Sequence, residues 1–86
     1  MTHLLKTWPV FFNAIRDGRK TFEIRLDDRG FSVGDTLILR KWEPADLEWT
    51  CPREQEIRKV TYILRDTDYA GIVPGYVVMG LAKEEA

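Results

Sequence analysis

The side chains best suited to chemistry cluster in one short segment, Gly18–Arg25, which reads Gly-Arg-Lys-Thr-Phe-Glu-Ile-Arg. Arginine presents a planar fork of N–H donors that matches a phosphate group or the edge of a base. Lysine acts as a point charge or, when it is desolvated, as a base or nucleophile. Lys20 is therefore a candidate catalytic residue, with Glu23 as its proton-transfer partner. The alternative is an exposed Glu23–Arg25 ion pair beside a solvated turn, worth only about 0–1 kcal/mol.

The one histidine of the sequence is a third candidate for catalysis. Histidine gains and loses a proton near neutral pH more readily than other side chains. His3 lies at the start of the first predicted strand, three residues before Lys6. If both face one cleft with Lys20 and Glu23, the four side chains form a proton-transfer group. The alternative is a histidine that only begins a strand.

Other side chains are candidates for contacts with a ligand. Cationic groups suit phosphates and base edges, a carboxylate can accept from a base amine, and an aromatic ring can stack on a base. The predicted ligand-binding residues are Lys6, Trp8, Thr21, Arg25, Arg29 and Arg40. Further candidates for stacking on a base are Trp42, Trp49 and Tyr69.

One helix and about five strands must position these side chains. The helix is predicted over Trp8–Asp17, with Thr7 as its N-cap and Gly18 at its C-terminal end. Its apolar stripe is formed by Trp8, Phe12 and Ile15, and Phe11 widens it. Strands are predicted over residues 3–6, 21–26, 36–42, 54–64 and 76–81, and the longer loops over 43–52 and 66–75.

Two of the predicted strands alternate clearly between apolar and polar residues. In strand 21–26 the apolar side chains share one face, and Thr21, Glu23 and Arg25 are expected on the outer face. In strand 54–64 a single face is expected to carry Val60, Tyr62 and Leu64. The aromatic residues assigned to the core are Trp8, Phe11, Phe12 and Phe22.

The order of these elements predicts a mainly β (α+β) fold. Strand, helix and four further strands within 86 residues suit a small β-barrel of about five to six strands with one covering helix. Residues 1–86 are expected to form a single domain, because a chain of this length has room for one core.

Composition excludes several classes of function. One cysteine and one histidine cannot supply the four ligands of a structural zinc site, so neither a metal nor a cofactor is predicted. No apolar run approaches the roughly 20 residues that span a bilayer, and the start of the sequence does not resemble a signal peptide. A cytoplasmic location without a membrane partner is expected. The oligomeric state stays open.

The net charge of −1 is unevenly distributed. Residues 1–41 carry eight Lys/Arg and five Asp/Glu, a net charge of +3, whereas residues 42–86 carry a net charge of −4. A protein that holds nucleic acid by counterion release alone is usually more basic overall. A polyanion is therefore expected to bind a local patch in the first half. The alternative is that both halves merely carry solvated charged faces.

The segment Gly18–Arg25, followed by Val33-Gly34-Asp35 and a strand, resembles the signature of ASCH domains in the PUA-like superfamily. A narrower similarity, to a small bacterial and phage family of ASCH-like proteins without an assigned function, extends over most of the chain. The segments that carry it are His3–Trp8, Phe31–Asp35, Val60–Leu64 and Gly75–Val78. The resemblance implies a PUA-like barrel with a cleft between helix and wall that holds RNA or a modified base.

The resemblance also implies two possible activities. One ASCH relative hydrolyses N4-acetylcytidine with a lysine in a Gly-x-Lys-Thr turn, a threonine on the next strand and a distant glutamate. Lys20 matches that lysine, Glu23 stands where the threonine falls, and the region of the glutamate has no counterpart in this shorter chain. Another relative is reported as a ribonuclease, and its catalytic residues do not map onto this sequence.

Taken together, the residues and the resemblance favour a module that binds RNA or a modified nucleotide. The alternative is a hydrolase that acts on a nucleoside or RNA through Lys20. A role in protein interaction is the third hypothesis, favoured if the basic residues of the first half prove dispersed.

Overall fold

A computed structural model of the chain describes residues 1–43 and 54–83. The predicted mainly β fold, with five strands and one short helix, is confirmed. Each element lies within about two residues of its predicted bounds, and the predicted loop 43–52, with Trp49, lies outside the described residues except for its first position. The elements are β1 (Thr2–Thr7), α1 (Pro9–Arg16), β2 (Phe22–Leu26), β3 (Thr36–Lys41), β4 (Gln55–Arg65) and β5 (Tyr76–Lys83).

The strands form one sheet in the order β1-β3-β4-β5-β2. β1 pairs parallel with β3, and every other neighbouring pair is antiparallel. The sheet is curled into a half-barrel, in which β1 and β2 are the edge strands of the described part. These two strands carry most of the predicted site residues, so the open seam between them determines where a ligand can enter.

The helix packs against the concave side of this sheet. Phe12 and Ile15 are fully buried, and Ile15 joins a core with Leu5, Leu37 and Met79. Burying aliphatic and aromatic side chains of this size stabilises a small domain by about 1.5–3 kcal/mol each.

The core assignment of three aromatic residues is wrong. Trp8 is 54% exposed, Phe11 48% and Phe22 41%. Trp8 is the N-cap of α1 and has an extended backbone, so it stands before the helix rather than on its apolar stripe. Thr7, the predicted N-cap, instead ends β1. An eight-residue helix with two buried positions leaves Phe11 outside the core.

The orientation of β2 is the reverse of the predicted one. Glu23 pairs with Met79 and Arg25 with Val77, and both partners on β5 point into the core. Directly paired residues of an antiparallel sheet point to the same face, so the two charged side chains lie on the concave side. The apolar side chains of β2 are 41–53% exposed on the convex side. Alternation reveals the two faces of a strand but not which of them is covered.

The prediction that Val60 and Tyr62 share one face of β4 is wrong, because the strand contains a β-bulge. The register with β5 shifts between Val60 and Tyr62, which places Val60 in the core and leaves Tyr62 64% exposed. One extra residue, Thr61, reverses the alternation of the strand. Gly80 faces the bulge, and a Cβ there would lie 3.1 Å from the Thr61 Oγ1. The Thr61 side chain therefore occupies the space that a side chain at position 80 would need.

Candidate functional site

A cleft of about 790 Å³ lies between β1, α1 and β2. It occupies the seam of the half-barrel, where the edges of β1 and β2 face each other. Seven charged residues contribute to its lining: Lys6, Arg19, Lys20, Glu23, Arg25, Asp28 and Arg29. Five of the seven are cationic, although the chain as a whole has a net charge of −1. The predicted excess of positive charge in the first half thus converges on one hollow.

A buried carboxylate lies at the centre of the cleft. The Glu23 side chain is 7% exposed and contacts two cations, with 2.8 Å from its Oε1 to the Lys20 Nζ and 3.0 Å from its Oε2 to the Arg25 Nε. The pairing explains why a glutamate can lie on the concave side of β2, because a buried charge must be matched by an opposite one. The three side chains together carry a net charge of +1.

Lys20 is positioned by the turn that ends α1. Gly18 has a φ of +83°, and the N–H groups of Arg19 and Lys20 donate to the Ala14 carbonyl, which bends the chain back toward the helix. The Lys20 Nζ then donates to the Phe22 carbonyl at 2.8 Å. Its ammonium also lies 5.1 Å from the centroid of the Phe22 ring, within the range of a cation–π interaction.

Two arginines bridge the seam, and we call this pair, Arg25 and Arg29, the arginine clasp. The Arg25 Nη2 donates to the Lys6 carbonyl at 2.7 Å, and the Arg29 Nη1 donates to the Leu4 carbonyl at 2.8 Å. Edge strands expose backbone groups that need partners. The clasp supplies partners to alternate carbonyls of β1 while it joins the two edges.

The hydroxyl group of Thr7 is an unpaired polar atom in the wall of the cleft. Thr7 is 2% exposed, and no described residue offers its Oγ1 a hydrogen-bond partner. Such orphaned buried groups cost about 1–3 kcal/mol each and are uncommon in native proteins. A bound molecule that reaches this wall can supply the missing hydrogen bond.

The cleft gathers most, but not all, of the predicted site residues. The predicted residues that line it are Lys6, Trp8, Lys20, Glu23, Arg25 and Arg29. Thr21 and Arg40 are not among the lining residues. Arg40 lies on β3 and its Nε donates to the Gln55 Oε1 at 3.2 Å. Sequence reasoning did not single out Arg19 or Thr7 as site residues and placed Phe11 in the core. These positions lie on β1, on α1 and in the turn after α1, and only the fold brings them to one hollow.

His3 lies apart from this group, against Asp35. Its Nε2 is 2.8 Å from the Asp35 Oδ2, its ring meets that of Phe31 edge-on at 4.7 Å, and it is 5% exposed. Together with the N-terminal amine and the Ser32 N–H, this hydrogen bond lowers the pKa of Asp35 to about 2, against the opposing effect of burial. β1 points His3 inward beside the turn that precedes β3, so the structure does not bring it together with Lys20 and Glu23.

Among residues 1–43 and 54–83, no three His, Cys, Asp or Glu side chains are arranged to hold a metal ion. Within the same residues, no helix has the length and apolar character needed to cross a membrane.

Fold and site together define a small half-barrel domain with a positively charged cleft at its seam. Residues 2–81 match the family described as a domain of unknown function (DUF3850), and the chain belongs to that family. Over 40 residues the chain is 40% identical to an uncharacterized 12.9 kDa protein in the GpA 3′ region of Escherichia phage P2. The matched segment covers 46% of this chain and 37% of the phage protein. The match agrees with the predicted similarity to an uncharacterised family that has phage members.

Proposed function

We propose that this domain binds RNA or a modified nucleotide in the cleft between β1, α1 and β2. The observation that supports the proposal is the meeting of cationic side chains and exposed aromatic rings in one hollow of suitable size. The resemblance of Gly18–Arg25 to ASCH domains of the PUA-like superfamily points to the same class of ligand. We also propose that the domain is related to the PUA-like superfamily.

Each part of the cleft suits a different part of a nucleotide. Trp8 and Phe11, both about half exposed, offer rings on which a base can stack. Each oxygen of Glu23 has two lone pairs, so the carboxylate can accept from a base amine while Lys20 and Arg25 hold it. Arg29 is 44% exposed at the cleft and can donate to a phosphate.

Ion pairs elsewhere on the chain favour a ligand contact that is confined to the cleft. Arg16 pairs with Glu54 and Glu56, and Arg65 pairs with Asp27. These pairs neutralise basic residues outside the cleft. We therefore expect binding to involve only about one to three phosphates, with a correspondingly shallow but measurable dependence of log Kd on log salt concentration, about 0.7 per phosphate for a single strand.

The stacking contact provides a direct test. Trp8→Ala should raise the Kd for a fluorescently labelled single-stranded RNA by about 5- to 150-fold, because stacking on an aromatic ring is worth roughly 1–3 kcal/mol per base. Fluorescence anisotropy at low salt measures the Kd. Tyr69→Ala is the matched control, since Tyr69 is 65% exposed and does not line the cleft. Equal affinities of the two variants, no detectable binding by the unmodified chain, or a Kd that is independent of salt would each count against the proposal.

A hydrolase is the second candidate, and the direct contact between Lys20 and Glu23 favours it. Lys20 stands where the resemblance places the catalytic lysine of the N4-acetylcytidine amidohydrolase. Glu23, in place of the strand threonine, supplies a carboxylate that this relative obtains from a region absent here. The ammonium of Lys20 can donate to the acetyl carbonyl oxygen, and Glu23 can take a proton from the attacking water.

This second candidate predicts that the chain converts N4-acetylcytidine and water into cytidine and acetate. Lys20→Ala should then reduce turnover at least about 100-fold, the usual cost of removing one hydrogen-bond donor to the oxygen on which negative charge develops. Chromatographic separation of cytidine from N4-acetylcytidine measures the rate, and circular dichroism checks that the variant is folded. Arg16→Ala, outside the cleft, is the control that should keep its turnover. Unchanged turnover of Lys20→Ala would exclude this mechanism.

A further inference from the structure

Thr7 is the last residue of β1, and its side chain lies on the concave side of the sheet. Exposed and buried residues alternate along β1, and the buried ones are His3, Leu5 and Thr7. The concave side also carries Glu23 and Arg25, the charged centre of the cleft. Because Thr7 lines the cleft as well, its hydroxyl group lies in the wall that a deeply bound ligand would meet.

Thr7 is the exception among the buried polar residues of the described part of the chain. Five such residues are at most 6% exposed, and the other four are His3, Glu23, Asp35 and Arg58. The side chain of each of these four has a hydrogen-bond partner. The Thr7 carbonyl accepts from the Trp42 N–H at 2.8 Å, whereas the Thr7 Oγ1 finds no partner among residues 1–43 and 54–83. A buried hydroxyl without a partner destabilises a folded chain, so its presence indicates a role other than packing.

We infer that the Thr7 hydroxyl binds the ligand, by a hydrogen bond to the edge of the base that enters the cleft. The inference rests on the proposed function, because it concerns the same site. An apolar side chain of the same shape, such as valine, would complete the wall without an unpaired group. A hydroxyl both donates and accepts, so it suits the mixed donors and acceptors of a base edge, whereas Lys20 and Arg25 only donate and an ionised Glu23 only accepts.

The burial of Thr7 determines which part of a nucleotide reaches it. The side chains of Arg29 and Arg19 are 44% and 68% exposed, so they can contact a phosphate that keeps part of its hydration. A phosphate at Thr7 would lose nearly all of its water for one hydrogen bond from a neutral group, which is far more costly than burying a neutral base edge. Glu23, whose side chain is 7% exposed, is available to the same edge. The hydroxyl and the carboxylate would therefore contact one base together.

A ligand reaches Thr7 only when the wall of the cleft opens, because the Thr7 Oγ1 exposes less than 1 Å². The nearest bond along the chain belongs to the arginine clasp, in which the Arg25 Nη2 donates at 2.7 Å to the carbonyl of Lys6, the residue before Thr7. A phosphate offers this guanidinium group a charged acceptor in place of a neutral carbonyl. The exchange would release the end of β1 at the seam and give the base edge access to Thr7.

The test uses two substitutions at Thr7 whose effects on affinity and on stability have opposite signs. Thr7→Val should raise the Kd for a labelled single-stranded RNA about tenfold, because a buried atom of the base loses its hydrogen bond. The same variant should shift the midpoint of urea denaturation upward by roughly 0.3–1 M, because the chain no longer buries an unpaired hydroxyl. Thr7→Ser restores the hydroxyl and should recover most of the affinity, while the missing methyl group lowers the midpoint. Fluorescence anisotropy at low salt and urea denaturation measure the two quantities.

Thr2→Val is the matched control, because Thr2 lies on the same strand with an exposed side chain and does not line the cleft. It should leave the RNA affinity unchanged. Contact with a base edge also predicts that Thr7→Val keeps the salt dependence of the unmodified chain, since no phosphate contact is lost.

Three results would overturn the inference while the proposed function stands. A lower urea midpoint for Thr7→Val would mean that the hydroxyl has a structural partner. Equal RNA affinity of Thr7→Val and the unmodified chain would mean that the hydroxyl does not touch the ligand. A shallower salt dependence of Thr7→Val would place a phosphate, not a base edge, at Thr7. An unmodified chain that binds no RNA would instead remove the proposed function together with this inference.

Discussion

Glu23→Ala should lower the free energy of unfolding by about 3 kcal/mol, since removing one partner of a buried ion pair leaves the remaining charge uncompensated. Lys20 and Arg25 are 15% and 28% exposed, so both would lose their carboxylate while still partly removed from water. The two cations would also repel each other. We further expect the preference for bases that carry an amine to be lost, because the amine acceptor at the centre of the cleft would be absent.

Urea denaturation measures the stability, and Glu54→Ala is the matched control. Glu54 also contacts two cations, Arg16 and Lys41, but its side chain is 50% exposed. Exposed ion pairs are worth only about 0–1 kcal/mol, so the control should lose little. If Glu23→Ala is no more destabilising than Glu54→Ala, the carboxylate in the cleft is not the buried centre described here.

Asp35→Asn should remove on the order of 2 kcal/mol of stability at neutral pH, because the pKa of Asp35 is lowered from 3.8 to about 2 in the folded chain. The amide keeps the shape of the side chain but cannot attract the N-terminal amine or accept through two charged oxygens. The hydrogen bond with the buried His3 is the largest cause of the low pKa, so its loss dominates the effect.

The same pKa shift sets the pH dependence. A lowered carboxyl pKa contributes stability that is complete above the unfolded value of 3.8 and is lost as the pH falls through the folded value of about 2. The unmodified chain should therefore lose stability between about pH 4 and pH 2, and Asp35→Asn should lose less over that interval. Chemical denaturation across this range measures both curves. Asp17→Asn, at a side chain that is 55% exposed, is the control whose pH dependence should match that of the unmodified chain.

The strands and the helix were predictable because each contains an uninterrupted local pattern. The alternation of residues 21–26 and the apolar stripe before Gly18 appear directly in the sequence. The covered face of β2 was not predictable, since that depends on its pairing with Val77 and Met79 more than 50 positions later. The bulge at Thr61 was also hidden, because one extra residue between two alternating stretches leaves no mark of its own.

The candidate site was likewise predictable only where its residues are close together in the sequence. Lys20, Glu23 and Arg25 lie within six residues, so their meeting follows from strand spacing and a turn. The contact of Arg29 with the Leu4 carbonyl joins positions 25 residues apart and depends on the curl of the sheet. His3 is 32 residues from Asp35, and only the parallel pairing of β1 with β3 brings the two together. The sequence therefore suggested the nearby Lys6 as the partner of His3 instead of Asp35.

The arginine clasp closes the half-barrel through side chains, so the barrel is not sealed by strand pairing. Among the described strands, β1 and β2 are connected by two long side chains and not by a main-chain ladder. Rotation about the torsions of these side chains can widen the split without breaking a strand pair, at a cost of about 1–3 kcal/mol for each charged hydrogen bond. The two guanidinium groups therefore set the width of the cleft, and ligands of different size can enter it while the strand pairing of the sheet stays unchanged.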